Sequence, residues 1–336
     1  MKKNIIYTLL ALVAAGSMEA QDFHLAQYDA TNLYMNPALT GMFLGEKGDY
    51  RISSDYRSQW KALGIKPYNT VYLSYDMPYT IKNKKCGFGA YVINSRSGNG
   101  HFNTFSFMAS GAYDIMQGSD KHYLSAGLQL GLFNKSFDPS SFTYDVQYDA
   151  STGTFDGSVN SMESGLNTSI FRFDANVGVF YKYRDESKKW HPYGGFSIYH
   201  VNRPNETFTA YKERLPMRFN LNAGCDFILN ERFTIVPKIL YMNEAKVSEF
   251  YAGLAAFYKM KDNNFQPMLG LDYRHKDAFV VEVGLKQDKH IFRISYDVNT
   301  SYLNSYTGGR GAIEFSLVLI GIKGQPLFIP PKSRVE

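Results

Sequence analysis

The sequence predicts an all-β fold, a transmembrane antiparallel β-barrel of about fourteen strands with an N-terminal plug-like segment. Three observations lead to this prediction: apolar and polar residues alternate beyond residue 48, charges occupy the middle of the polar faces, and long and short connections tend to alternate. Period two is the strand period, because successive side chains point to opposite faces. After its first twenty residues the chain of 336 also lacks an apolar run near the ~18 residues of a membrane helix.

Residues 1–20 have the pattern of a secretory signal peptide. Lys2 and Lys3 give a positive start, an apolar stretch follows, and small residues lead to Ala20. The apolar stretch is short for a membrane span, which disfavours the alternative of an uncleaved anchor. We therefore expect export through a cleaved signal peptide and localisation in the cell outer membrane.

Residues 21–47 do not alternate. Amides, aromatic rings and an Asn-Pro turn are mixed here, and a glycine follows. Our hypothesis is that the segment folds into the barrel lumen as a plug, where its polar groups pair with the lumen charges; the alternative is a loose periplasmic arm. The plug candidates are His24, Gln27, Tyr28, Asn36 and Pro37.

Residues 48–322 form the predicted barrel, and 323–336 a C-terminal tail. The clearest strand places Phe171 and Phe173 on one face and Arg172 and Asp174 on the other. About fourteen such stretches occur, each near the ~9–11 residues of a tilted transmembrane strand. Pro237 lies inside one of them and cannot donate a ladder hydrogen bond, which predicts a bulge or a misplaced strand.

A soluble sandwich would also alternate, but the position of the charges favours a membrane barrel. Charges lie opposite large apolar residues, as expected for a polar lumen inside an apolar wall. Tyr and Phe crowd the predicted strand ends, where amphipathic rings suit the membrane boundaries. In hydrocarbon every backbone polar group must be paired, so the sheet must close. The mid-strand charges are Arg51, Asp55, Arg172, Asp174, Arg218, Asp226, Asp272, Arg274, Glu282, Arg293, Asp297 and Glu314.

The long connection 134–168 combines aromatic rings with carboxylates. Exposed rings beside carboxylates suit protein recognition. The alternative is that the rings fold over the barrel mouth. The candidate partner-binding residues are Phe142, Tyr144, Asp145, Tyr148 and Phe155.

The chain lacks the motifs of common catalytic and cofactor sites. Its seven His residues do not stand at metal-ligand spacing, and neither a Gly-x-Ser-x-Gly elbow nor a phosphate-binding loop with Lys is present. The net charge of +5 is scattered, so the basic residues do not form a nucleic-acid footprint. We therefore expect a non-enzymatic protein without cofactor, metal or nucleic-acid partner; a Ser/His pair brought together from distant strands is the alternative.

Both ends of the mature chain carry recognisable sequence motifs. The opening QDFHLAQYDATNLYMNPALTG and the closing FRISYDVNTSYLNSYTGGRGAIEFSLVL, together with Gln59-Trp60 and Tyr75-Asp76-Met77-Pro78, resemble the PorP/SprF family. The resemblance implies an outer-membrane barrel of the type IX secretion and gliding machinery. Its implied partners are secretion-machinery components, outer-membrane lipid and a large adhesin-like protein whose secretion or surface attachment it assists. The charged lumen leaves a transporter or porin for small solutes as the alternative.

Overall fold

The computed structural model describes residues 22–44, 46–64, 66–98, 100–162, 167–209, 212–261 and 264–327. It is a closed antiparallel barrel of fourteen strands, which confirms the predicted fold class. The predicted signal peptide, residues 1–20, lies outside the described residues, as does the tail beyond residue 327.

Each barrel strand pairs with the strands that precede and follow it around the wall, and β1 closes the barrel on β16. Two further strands, β6 (Tyr148–Asp149) and β7 (Thr154–Phe155), form a small separate hairpin. The barrel strands are β1 (Tyr50–Gln59), β2 (Tyr68–Ile81), β3 (Lys84–Ser97), β4 (Phe102–Asp114), β5 (His122–Ser136), β8 (Ser169–Tyr183), β9 (Trp190–Tyr199), β10 (Arg218–Ile228), β11 (Phe233–Glu244), β12 (Val247–Tyr258), β13 (Phe265–Arg274), β14 (Ala278–Gln287), β15 (His290–Asn299) and β16 (Arg310–Gly321).

The connections divide the barrel into two ends. The end called here the long-loop end carries the connections 60–67, 98–101, 137–168, 200–217, 245–246, 275–277 and 300–309. The opposite, short-turn end carries 82–83, 115–121, 184–189, 229–232, 259–264 and 288–289. In outer-membrane barrels the longer loops are extracellular and the short turns periplasmic. By this rule we expect the long-loop end to face the cell exterior.

Alternation places the charges inside and the apolar residues outside, as predicted. In β8, Asp174 is buried while Phe171 and Phe173 are exposed on the outer surface. In β1, Arg51 and Arg57 are buried, and the outward Tyr56 is exposed. The outer wall is therefore apolar and the interior carries ionisable side chains, the arrangement of a barrel with a polar lumen.

The bulge predicted at Pro237 is absent. Pro237 is paired with Leu254 of β12, and the β10–β11 register is the same on both sides of it, from Gly224↔Lys238 to Phe227↔Ile235. The β10–β11 pairing is only interrupted opposite Pro237, where its missing N–H cannot contribute. A register shift occurs instead between β15 and β16, near Tyr296 and Val298.

Helices are few and short. The described residues contain the helical turns Asn32–Met35 and Asn304–Thr307, and 3-10 turns at Pro37–Leu39, Lys61–Leu63, Pro139–Ser141 and Asp145–Gln147. None of these described helices has the length and apolar character needed to cross a membrane.

Candidate functional site: the luminal segment

Residues 22–44, called here the luminal segment, lie inside the barrel. Asp22 contacts Arg218 and Glu244, which stand where β10 begins and β11 ends at the long-loop end. At the other terminus of the segment, the Leu44 carbonyl accepts a hydrogen bond from Arg184 in a short-turn connection, at 3.3 Å. The segment therefore runs through the lumen from the long-loop end to the short-turn end before the chain enters β1.

An ionic cluster holds the start of the luminal segment. Asp22 Oδ2 accepts from Arg218 Nη1 at 2.8 Å and lies 2.9 Å from His200 Nε2. The other ring nitrogen of His200 lies 3.0 Å from Asp174 of the wall. The Asp22 backbone N–H donates to Glu244 at 2.9 Å. Charge-assisted hydrogen bonds of this kind are the stronger ones, so this cluster fixes the segment at the long-loop end.

Mutual pairing shifts the pKa values of this cluster. Burial alone would lower the pKa of the His200 imidazole, but the carboxylates of Asp22 and Asp174 outweigh it and raise the pKa to about 9 from 6.5. Burial would likewise raise the pKa of Asp22, but His200 and Arg218 hold it below its usual value. Both shifts favour the charged forms, so His200 is an imidazolium bound to two carboxylates at neutral pH.

Asp22, His200 and Glu244 could each offer a ligand atom within 4.8 Å of the others. The guanidinium of Arg218 bonds to Asp22, however, and both ring nitrogens of His200 face carboxylates. A bound cation would have to displace these pairs and sit beside a permanent positive charge. The cluster is therefore better suited to ion pairing than to metal binding.

The middle of the luminal segment binds the wall through Asp29 and Gln27. Asp29 accepts two hydrogen bonds from Arg293 of β15, at 2.8 and 3.0 Å, and lies 3.8 Å from Lys238 of β11. Burial opposes its ionisation, but the two cations lower the pKa of Asp29 to about 2. Gln27 donates to Ser295 through its side chain at 3.0 Å. These contacts join the segment to strands that lie more than 200 residues away in sequence.

Glu314 of β16 links the segment to a buried ion network. Its carboxylate accepts the backbone N–H groups of Ala26 and Gln27, at 2.9 and 2.6 Å. It also accepts a hydrogen bond from Arg57 Nη1 at 2.6 Å, and Arg57 Nη2 donates a hydrogen bond to Asp297 at 2.6 Å. Arg57 and Glu314 are fully buried. Since buried charges are tolerated only when paired, the network depends on each member being present.

The Asn36-Pro37 dipeptide forms the start of a 3-10 turn. The Asn36 side chain accepts from the Ala38 N–H at 2.9 Å, which caps the turn, and donates to the Val179 carbonyl of β8 at 2.9 Å. Pro37 fits the first helical position because its missing N–H would be unpaired there. The predicted turn is thus a capped helical turn that is also bonded to the wall.

Glycines in the wall allow the backbone of the luminal segment to approach closely. A β-carbon at Gly127 of β5 would overlap the Pro37 backbone, and one at Gly87 of β3 would overlap the Thr40 carbonyl. Both atoms met are backbone atoms, which cannot move aside as a flexible side chain can. These strand glycines therefore leave the space in which the backbone of the luminal segment packs against the wall.

At the short-turn end the segment is fixed through Asp76 of β2. Its carboxylate accepts from the Gly41 N–H at 2.6 Å and from Arg51, whose Nη2 also donates to the Leu39 carbonyl at 2.8 Å. Beside this anchor lies a cavity of about 450 Å³, lined in part by Gly41 and Lys85.

All five predicted plug candidates contact the barrel wall. His24 lies 3.3 Å from Glu249, and burial together with Arg274 and Arg57 lowers its pKa well below the usual value. Tyr28 packs edge-on against Tyr251, with ring centroids 5.7 Å apart. Gln27, Asn36 and Pro37 make the contacts described above.

The five predicted partner-binding residues lie together in the connection 137–168. Tyr148 and Phe155 pair across the β6–β7 hairpin with ring centroids 5.2 Å apart, and each is half exposed. Phe142 instead packs against Gly100 of a neighbouring connection. Tyr144 precedes the 3-10 turn that Asp145 begins, and Asp145 is exposed. The hairpin therefore presents an aromatic pair at the long-loop end, and Phe142 helps to position the connection.

Sequence reasoning did not single out Asp22 and Asp29, although both anchor the segment. Their charge could have identified them. Asp22 and Asp29 are the two carboxylates of residues 21–44, and the predicted lumen face contains the cations Arg218 and Arg293. Opposite charge on a segment and on the face it would meet predicts such pairing.

The pKa of His200 predicts a pH-dependent stability. A histidine whose folded-state pKa is raised contributes stability that is fully present below its unfolded value, here 6.5, and is lost as pH rises through about 9. We expect His200→Gln to lower the free energy of unfolding by on the order of 2 kcal/mol at pH 6. Urea unfolding of both proteins at pH 6, 8 and 10 measures this. A difference that stays constant or grows with pH would contradict the assignment.

The fold and the site define a class: a β-barrel of the outer-membrane type that holds its own N-terminal segment in the lumen. The family model described as Type IX secretion system membrane protein PorP/SprF matches residues 17–318. The chain therefore belongs to the PorP/SprF family, which confirms the resemblance found in its sequence.

Solved barrels resemble the chain at low sequence identity. The toluene transporter TbuX of Ralstonia pickettii is 10% identical with a TM-score of 0.48, and the alignment covers 86% of this chain and 92% of TbuX. The toluene transporter TodX of Pseudomonas putida is 12% identical with a TM-score of 0.47, covering 89% and 94%. The translocator domain of the autotransporter NalP of Neisseria meningitidis is 10% identical with a TM-score of 0.42, covering 86% and 94%. No curated protein matches the chain in sequence.

Proposed function

We propose that this chain is a plugged, non-enzymatic outer-membrane barrel of the type IX secretion and gliding machinery. In this role it assists the secretion or surface attachment of a large adhesin-like protein, in contact with other machinery components and outer-membrane lipid. The observation that carries the proposal is the anchoring of the luminal segment at both ends and in its middle, through Asp22, Asp29 and Asp76. Buried ion pairs hold the segment inside the lumen. Such a barrel is suited to docking a protein rather than to the free diffusion of solutes through its lumen.

The partner would dock on the long-loop end. Tyr148 and Phe155 offer a pair of contacting aromatic rings there, and the exposed carboxylates Asp145 and Asp149 lie close to them in sequence. Aromatic residues are the commonest anchors of protein interfaces because they bury large areas at little entropic cost. The β6–β7 hairpin is therefore the proposed contact with the secreted protein.

Replacing both rings of the hairpin tests this contact. We expect Tyr148→Ser with Phe155→Ser to reduce co-purification of the secreted partner roughly tenfold or more, because anchor residues dominate binding energy. The matched control is Tyr302→Ser with Tyr306→Ser, which removes two exposed rings from another connection at the same end. If the hairpin variant retained as much of the secreted partner as the control variant does, the hairpin would be rejected as the contact. Normal surface display of adhesins in a deletion strain would reject the function itself.

Transport of small solutes is the alternative function, and planar-bilayer recording separates the two. The intact protein should be silent if the luminal segment closes the barrel. A steady large conductance from the intact protein would favour a porin.

A further inference from the structure

The connection 200–217 at the long-loop end begins and ends on the same partner, Asp22 at the start of the luminal segment. His200 is its first residue, and the Nε2 atom of His200 lies 2.9 Å from the Asp22 carboxylate. Arg218 directly follows the connection and donates to the same carboxylate oxygen at 2.8 Å. A movement of the connection at its base therefore acts directly on the anchor of the luminal segment.

The two arms of the connection, residues 201–206 and 213–217, pair with each other and are called here the ribbon. The Leu215 N–H donates to the Pro204 carbonyl at 2.9 Å, and both residues are buried. The Leu215 side chain lines a cavity of about 30 Å³ together with Phe23 of the luminal segment. Because this volume holds only about one water molecule, the ribbon packs closely on the start of the segment.

The first arm of the ribbon lies against the edge of β8. Pairing of β8 with β9 ends at Val177, and among the described residues no strand continues it on that side. The Val201 N–H donates to the Ala175 carbonyl at 2.9 Å. The Asn202 side chain makes the next contacts, since it accepts from the Ala175 N–H at 3.1 Å and donates to the Phe173 carbonyl at 2.8 Å. A side-chain amide thus takes the place of a neighbouring strand.

Two further bonds attach the ribbon to side chains of the wall. Lys135 of β5 pairs with Glu206, and both side chains are nearly buried. Arg172 of β8 donates from Nε to the Asn205 carbonyl at 2.5 Å. The Glu206 N–H also donates to the Glu213 carbonyl, so these bonds hold both arms. The ribbon is therefore attached mainly through side chains and can separate from the wall without breaking the strand pairing of the barrel.

Strained backbone marks the base of the ribbon. His200 and Arg203 have φ angles of +57° and +44°, left-handed values that residues with a side chain rarely adopt. Such strain persists only while surrounding contacts impose it, and it is common in elements that switch. We propose that the ribbon is an outer latch of the luminal segment: its detachment from the wall releases Asp22 and loosens the start of the segment. The latch is a property of the barrel itself and goes beyond the proposed docking function.

Breaking the attachments of the ribbon in the full chain tests this proposal. The variant is Asn202→Ala with Glu206→Gln. The control is Lys121→Gln, which removes a 2.8 Å ion pair with Asp185 at the short-turn end. Hydrogen exchange followed by mass spectrometry reports on the ribbon and on residues 22–27 in the same sample.

We expect amides of the ribbon and of residues 22–27 to exchange about tenfold faster in the variant than in the wild type. The Asp22 and Ala26 N–H groups report on the segment because they donate to wall carboxylates. Tenfold is the change expected when about one charge-assisted hydrogen bond is lost. Residues 39–44 at the short-turn end should keep the wild-type rate, and so should the control. Coupling is reciprocal, so Asp22→Asn should in turn speed exchange in the ribbon.

Three results would overturn the latch. The first is faster exchange in the ribbon with unchanged exchange at residues 22–27. The second is unchanged exchange in the ribbon itself, because other contacts would then hold it to the wall. The third is equal acceleration at residues 39–44, which would mean a general loss of stability.

Discussion

Deleting residues 22–44 is expected to convert a silent barrel into a steadily conducting one. The segment crosses the lumen, and its carboxylates Asp22 and Asp29 pair with the wall cations Arg218 and Arg293. The wall itself closes without the segment, because β1 pairs with β16 along its whole length. Barrel diameter grows roughly linearly with strand number: about eight strands enclose a lumen that side chains fill, and about sixteen leave an aqueous channel. A barrel of fourteen strands lies near the upper of these sizes, so we expect it to admit ions once the segment is removed.

Planar-bilayer conductance of the deletion protein and of the full chain measures this effect. A point variant gives the same test without loss of chain: Gly127→Val places a side chain against the Pro37 backbone and should raise conductance by displacing the segment. Its control is Gly111→Val on the neighbouring strand β4, where a β-carbon meets its nearest atom at 3.8 Å. A correctly folded deletion protein that stays silent would show that another part of the chain closes the barrel.

Alternation made the wall predictable from sequence. Successive residues of a strand point to alternate faces, so the face of one residue determines the face of every other residue in that strand. Arg172 and Asp174 could therefore be placed on the face opposite to Phe171 and Phe173. The strand number followed from the same pattern, because each stretch is bounded by a turn signal. Pro237 was misjudged because the missing N–H was taken to require a register shift, whereas the β10–β11 ladder keeps its register across the interruption.

The interior was less predictable because its contacts are long-range. Asp22 meets His200 and Arg218 across more than 170 residues of chain, and local patterns carry no information about such pairs. Gly87 and Gly127 lie in strands, where a glycine is compatible with strand curvature and with close packing alike, and the sequence does not separate the two. Only the path of the luminal segment shows that they admit backbone atoms of Thr40 and Pro37.

Arg57→Met is expected to give the largest loss of stability of any single substitution considered. Arg57 is fully buried and bonds to Asp297 and Glu314 at 2.6 Å each. Its removal leaves the buried Glu314 without the guanidinium that pairs with it, while it keeps the N–H groups of Ala26 and Gln27. Asp297 keeps Arg274 at 2.8 Å. Breaking a buried pair in this way costs about 3–5 kcal/mol, since the remaining charge is uncompensated.

Urea unfolding at neutral pH measures this loss, with Arg232→Met as the control. Arg232 is exposed in a short-turn connection, so its replacement should change the free energy of unfolding by less than ~0.5 kcal/mol. Arg57→Lys separates charge from geometry: one ammonium cannot serve two carboxylates as the guanidinium fork does, so an intermediate loss is expected. Because Glu314 also holds the luminal segment, Arg57→Met should raise bilayer conductance as well. Equal stability of Arg57→Met and Arg232→Met would mean that the network does not anchor the segment.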